Sequence, residues 1–307
     1  MIFNTSGIFP FITVVLTLCA MFISYGIAIA NDHVDPWLPF ISDCAARAPE
    51  KMIFGQLLTF GCFCLAVTQY FIHRNIVSFY NEQDVEIGNW VIFSKVMLAL
   101  GWTASAGGTM VANFPESAQI VVHTIGAFTF FVGITFYFWG LLFIQYSLKP
   151  KLVPIHLTNF RLLLTITLSF VLIFHVVCLT ANPFVTRING KLPPRPDWPY
   201  HIERPAPGSA YFTNHVAAAF SEWIVALIIL VEILSFSFEF AATHYHAPTF
   251  SRNLFDKNVT VIETPIQTPV APYFDHYSQT STLKRLPRVD KVLPTSVYPP
   301  TSRYEHY

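Results

Sequence analysis

The chain has 307 residues, of which 53% are hydrophobic, 16% aromatic and only 12% charged, and its formal net charge is zero. Soluble domains carry roughly 25% charged residues, so an ordinary water-soluble globule is excluded. With no basic or acidic excess, recruitment of nucleic acid by a bulk field is excluded as well.

Six apolar blocks reach the length of about 20 residues that a spanning helix needs. The first runs from about Gly7 to Ala30. It ends in Ala28-Ile29-Ala30, the kind of small-residue sequence a signal peptidase cuts. However, no Lys or Arg precedes it and its apolar stretch is longer than a signal core, so it is predicted to stay as a helix. The loop that follows carries Trp37 and Phe40, rings suited to the headgroup layer, as are Trp90, Tyr146 and Tyr211 near other block ends. The second block covers Met52 to His73. Its Cys62 and Cys64, two residues apart, point away from each other on a helix. With Cys19 and Cys178 inside helices and Cys44 alone in a loop, the cysteines read as small buried hydrophobes. No metal or other cofactor is expected.

The third block, Trp90 to Ala112, repeats Ala104, Gly108 and Ala112 every four residues. The fourth, Ser117 to Tyr146, repeats Gly126, Gly133 and Gly140 every seven. Strips of small residues let helix backbones approach closely in lipid, so both are predicted to form tight seams. Block four is longer than a bilayer requires, which implies tilt or a partly interfacial end. The fifth block is Phe160 to Thr180. A proline-dense loop from Pro183 to Ala210 follows, favouring extended backbone. The sixth block is Tyr211 to Ala241. The fold class is therefore all-α: a polytopic six-transmembrane-helix bundle over residues 1–247. From 248 to 307 the composition turns to Pro, Ser, Thr and Tyr and reads as a disordered tail. That tail holds Thr264-Pro265 and Thr268-Pro269, candidate phosphorylation sites if it is cytosolic. Its Lys284-Arg285 and Arg288 to Lys291 could touch anionic lipid.

Charge does not orient the bundle. Arg74, Lys149, Lys151, Arg161, Arg252 and Lys257 on one side balance Arg47, Lys51, Arg187, Lys191, Arg195 and Arg204 on the other. The sequons at Asn4 and Asn258 sit on the two terminal segments, and glycan on either would put both termini outside.

Ionisable side chains inside spans are costly and are therefore the candidates for function. Glu222 falls near the middle of block six, with His215 two turns earlier on the same face. With alternating spans, His123, His175 and His215 gather near one membrane side, where the loop carrying Asp43 and Glu50 and the turn Asn113 to Glu116 join them. A metal site, a polar lock between helices and a lipid-headgroup site are the competing readings. At the other side Lys95 is expected to snorkel or to pair with Glu239 or Glu232. No nucleophile elbow, HExxH or phosphate loop is present in the sequence, so no catalytic residue is assigned.

In these same pieces the sequence resembles the damage-regulated autophagy modulator (DRAM) family of six-span proteins. The family's relatives include phosphatidylinositol 4-kinase regulators and GPI-anchor remodelling factors. The resemblance rests on Leu38-Pro39-Phe40-Ile41-Ser42-Asp43, Ala48-Pro49-Glu50-Lys51, Phe54-Gly55, Val111-Ala112-Asn113-Phe114, His123 with Gly126-Ala127, and Ser221-Glu222-Trp223. It extends over residues 7 to 241 in order and spacing. Cys44-Ala45-Ala46 departs from the Thr-Gly-Thr often seen there, and His175 matches no motif of the family. Ser237-Phe238-Glu239-Phe240 looks more like the kinase-regulator branch.

The resemblance implies cytosolic termini and a lumenal or exterior Asp43 loop. It also implies a functional cluster of Asp43, Glu50, Asn113, His123, His215 and Glu222. The expectation is a non-catalytic regulator of autophagy in lysosomal or endosomal membranes. Its partners would be membrane lipids, with cytosolic proteins reached through the tail. A plasma-membrane adaptor for phosphatidylinositol 4-kinase and a lipid- or GPI-anchor-remodelling enzyme, with plasma membrane or Golgi as location, are the alternatives.

Overall fold

A computed structural model of the chain describes residues 6–241. Among these, six helices are long and apolar enough to cross a membrane. They are α1 (Ile8–Ala30), α2 (Glu50–Glu82), α3 (Asn89–Asn113), α4 (Glu116–Ser147), α5 (Ile155–Ala181) and α6 (Phe212–Ala241). The six blocks expected from hydropathy are therefore present. The proposed tail from 248, both sequons and the Thr-Pro pairs lie outside the described residues.

The helix ends differ from the sequence estimates where polar residues extend a helix beyond its apolar part. α2 continues nine residues past His73, and α5 begins five residues before Phe160. A helix satisfies its backbone hydrogen bonds whether or not its side chains are apolar, so hydropathy marks the lipid-facing length rather than the helical length. The second shift has a consequence: Arg161, expected at the membrane flank, stands in the second turn of α5 and is only 1% exposed.

Successive helices pack as neighbours, and α6 returns to α1 to close the ring; the thinnest of these seams joins α4 to α5. The α3–α4 seam is the closest. A Cβ placed on Gly107 would lie 2.8 Å from the Gly126 carbonyl oxygen, and one on Gly126 would lie 2.7 Å from Met110 Cβ. Gly133 meets Ala104 in the same seam. The other small-residue strip divides its work. Ala104 faces α4, whereas Gly108 lies against Cys62, and the Ala112 carbonyl lies 2.8 Å from where a Gly55 Cβ would stand. One strip of α3 thus serves two neighbours, because its residues turn gradually around the axis.

At the end opposite the loop of residues 31–49, α5 and α6 are joined by charge. Arg161 donates from Nη1 to Glu239 at 2.7 Å and from Nε to Ser235 Oγ at 2.8 Å, and its guanidinium stands 4.1 Å over the Phe236 ring. Asn75 Nδ2 donates to the other Glu239 oxygen at 3.2 Å, and Thr165 donates to Glu232 at 2.9 Å. This corrects the expected pairing of Lys95 with Glu239 or Glu232. Lys95 is exposed, and the buried Arg161 takes the carboxylate instead. A planar fork of donors suits a dry site, whereas an ammonium on a long stem reaches water more cheaply.

Candidate functional site: a polar cavity under an inserted loop

Residues 31–49 connect α1 to α2 and fold back over the bundle. Non-helical backbone is tolerated at membrane depth only where protein satisfies its polar groups, and here α6 does so. The Ile41 N–H donates to Glu222 Oε2 at 2.8 Å, and Trp223 Nε1 donates to the Pro39 carbonyl at 2.9 Å. Leu38, at φ 43°, adopts the left-handed backbone that a branched side chain disfavours. That turn sets Pro39 and Ile41 within reach of the Glu222-Trp223 pair. Glu222 lies ten residues past the start of α6, roughly 15 Å along its axis. The loop is further tied by Tyr25 Oη to the Pro36 carbonyl at 2.8 Å and by Ser117 to the Ala46 carbonyl.

Beneath the loop is a cavity of about 670 Å³. Its polar walls include Asp43, Glu116, His123, His175, Glu203 and Glu222. Asp43 opens the short 3-10 turn Asp43–Ala45 and is buried. Burial above all, then the charge of Glu116 and a hydrogen bond with it, then Glu222 and Glu203, push its carboxyl well above the ordinary carboxylate range. Asp43 Oδ2 and Glu116 Oε1 are shut from solvent with no partner. α4 starts at Glu116 behind Pro115 and breaks its helical geometry at Gln119, so its first turn stands apart from the rest.

The two cavity histidines on α4 and α5 use Nδ1 on the protein. His123 Nδ1 is 2.9 Å from the Phe114 carbonyl, and His175 Nδ1 is 3.0 Å from the Ala218 carbonyl. A carbonyl needs a donor, so in the neutral ring the Nε2 lone pair is left free. The proline-rich loop supplies the outer wall through Arg195, Asp197, Trp198, His201 and Glu203. Burial favours raising Glu203, but the hydrogen bond from His215 and the Arg195 charge outweigh it and hold the carboxyl below its usual range. His215 Nδ1 lies 3.3 Å from Glu203 Oε2, and its ring stacks edge-on to Phe40 at 5.0 Å.

Of the residues singled out in the sequence, Asp43, Glu116, His123, His175 and Glu222 line one cavity. His215 stands behind it through Glu203. Glu50 does not reach it: buried at the first turn of α2, it is paired with His33. Asn113 is also elsewhere, tying α3 to α2 through Thr59 at 2.9 Å. Glu203 and Arg195 also belong to the site and carried no sequence signal stronger than their charge. Within Ser237 to Phe240, Ser237, Glu239 and Phe240 are buried in the bundle and Phe238 alone is exposed. Among the described residues no three His, Cys, Asp or Glu side chains are grouped to hold a metal ion.

Comparison with known proteins follows the same span. The model of the Frag1/DRAM/Sfk1/Cwh43P N-terminal domain matches residues 5–243. The human DNA damage-regulated autophagy modulator protein 1 is 30% identical over 231 residues, covering 75% of this chain and 89% of the relative. The rat DNA damage-regulated autophagy modulator protein 2 is 32% identical over 157 residues, 51% of this chain and 57% of that one. The modulator of macroautophagy TMEM150B of Xenopus tropicalis is 28% identical over 178 residues, 57% of this chain and 74% of that one. No solved structure matches the chain.

Proposed function

The chain belongs to the Frag1/DRAM/Sfk1/Cwh43P family, and from that membership we propose that it is a non-catalytic multi-pass regulator of autophagy acting in endolysosomal membranes. Its relatives are named as modulators of autophagy and macroautophagy. The observation that carries the mechanism is the cavity of about 670 Å³, polar at one end and roofed by a loop pinned to Glu222. Intramembrane ionisable groups of this kind are retained at a cost in stability, and a recessed space among them suits a bound headgroup better than a bare helix contact. Membrane lipid is thus the ligand, and residues 248–307 are the segment for cytosolic partners, with both termini in the cytosol.

Glu222→Gln separates the role from the fold, because a glutamine oxygen still accepts from the Ile41 N–H while the titratable carboxyl is gone. In cells that depend on this protein, the substitution is expected to lower autophagic flux at unchanged abundance. The tagged wild type is expected to coincide with lysosomal and endosomal markers. Normal flux in the variant would remove the cavity from the mechanism, and residence at the cell surface would remove the endolysosomal assignment.

A further inference from the structure

We propose that the cavity takes a lipid whose headgroup ends in a primary ammonium, which enters sideways between α4 and α5 and is received by Asp43 and Glu116. The inference rests on reading this cavity as a headgroup site and adds the chemistry of the ligand.

Charge comes first. The carboxyl groups on the walls belong to Asp43, Glu116, Asp197, Glu203 and Glu222, and the lone arginine or lysine among the lining residues is Arg195. That arginine is engaged with Glu203, and Glu222 is answered by the Ile41 N–H. Asp197 is exposed to water, which leaves Asp43 and Glu116, hydrogen-bonded to each other. Acidic clustering alone names no ligand, but Asp43 is 1% exposed and its Oδ2, like Glu116 Oε1, is buried with no donor. An unpaired buried acceptor costs stability unless something occupies the space before it. The cavity is far larger than the roughly 30 Å³ share of one water, so it has room for a molecular group.

The two oxygens without a donor need N–H or O–H groups, and two carboxyls that share one proton still carry one negative charge, which needs a cation. A primary ammonium supplies both with its three donors. A quaternary ammonium has the charge and no N–H, a sugar or inositol has donors and no charge, and an anionic headgroup is repelled. Arg195 at the rim gives the phosphate of an ethanolamine phospholipid a counter-charge once it turns from Glu203.

The remaining walls point to a lipid rather than a free amine. α4 contributes Ile120, Phe128 and Phe131, and α5 contributes Leu172, Val176 and Leu179. This is the thinnest seam of the ring, and Phe128 and Val176 are 65% and 41% exposed on it. A second, apolar cavity of about 90 Å³ shares His123, Ala127, Phe131 and Glu222 with the first and continues inward. Polar walls thus meet an apolar side opening, the arrangement that suits a headgroup inside and chains in the bilayer.

The test uses the purified full-length protein in phosphatidylcholine nanodiscs. Photoactivatable phosphatidylethanolamine, its N-methyl and N,N-dimethyl forms, and phosphatidylcholine are each supplied at equal trace amounts, and crosslinked peptides are read by mass spectrometry. Labelling on α4 and α5 is expected to fall stepwise as N–H donors are removed. The ends of the series should differ about ten-fold, the scale of one charge-assisted hydrogen bond. Asp43→Asn with Glu116→Gln is expected to abolish that preference, and Lys95→Gln, at the far end of the bundle, to keep it. The N-methyl series needs no variant, so the proposal stays testable if the double substitution does not fold. Equal labelling by every probe would overturn the ammonium assignment and leave the headgroup reading of the cavity intact. Labelling of the cavity by none would overturn both. Full displacement by equimolar soluble O-phosphoethanolamine would overturn the lipid and leave a free amine as ligand.

Discussion

Arg161→Met perturbs the largest of the fully buried side chains in the bundle. The side chain is close in volume, so the change removes charge and donors rather than packing. Two hydrogen bonds are lost, from Nη1 to Glu239 at 2.7 Å and from Nε to Ser235 at 2.8 Å, together with the stacking on Phe236 at 4.1 Å. The larger effect is what stays behind: Glu239 has 3% side-chain exposure and keeps only the Asn75 amide as a donor. Removing one partner of a buried ion pair costs about 3–5 kcal/mol, most of it the burden of the orphaned charge. Arg161→Met is therefore expected to lose about that much against denaturing detergent in mixed micelles. Adding Glu239→Met should recover most of the loss, since two apolar side chains ask nothing of the dry interior. A single variant costing less than about 1 kcal/mol, or a double variant no better than the single, would refute the claim that this pair is desolvated.

Two further outcomes follow from the geometry. Gly107→Ala would set a Cβ 2.8 Å from the backbone at both Gly126 and Phe130, so α3 and α4 must part, and a loss of about 1–3 kcal/mol is expected in the same assay. Gly26→Ala, with open space at its Cβ, should instead be neutral or stabilising by roughly 0.5–1 kcal/mol, which separates crowding from any general effect of alanine. The pH dependence of the empty protein should carry the signature of Asp43, whose carboxyl is raised well above its ordinary 3.8. The folded state holds that proton more tightly than the unfolded chain does. Its contribution is fully present below the ordinary value and is lost as pH rises through the raised one. Thermal stability in lipid-free detergent is thus expected to be higher near pH 5 than near pH 7.5, and Asp43→Asn should flatten the difference. A wild type that gains stability on going to neutral pH would contradict the burial of this carboxyl.

The sequence alone determined the class of the molecule. Six blocks long enough to span, and scarcely interrupted by charge, admit few solutions other than helices in a bilayer, because apolar length and backbone satisfaction are properties of each segment by itself. It also marked Asp43, His123 and Glu222, since an ionisable group in apolar surroundings is expensive wherever it occurs. The glycine spacings on α3 and α4 announced a close seam for a similar local reason.

Only the tertiary structure decided what each costly group meets. Glu50 was grouped with the others by its loop, yet its helix turns it toward His33; Asn113 was grouped by its turn, yet it ties α3 to α2. Arg161 looked like a flanking cation until the five residues before Phe160 proved helical and drew it under Glu239. Arg195 and Glu203 gave no pattern within a proline-rich loop, and they became cavity walls when that loop crossed the mouth of the bundle. The physical reason is the same throughout. A desolvation cost is set by a residue and its own segment, whereas the partner that offsets it is set by the order, rotation and closure of six helices, which no single segment encodes.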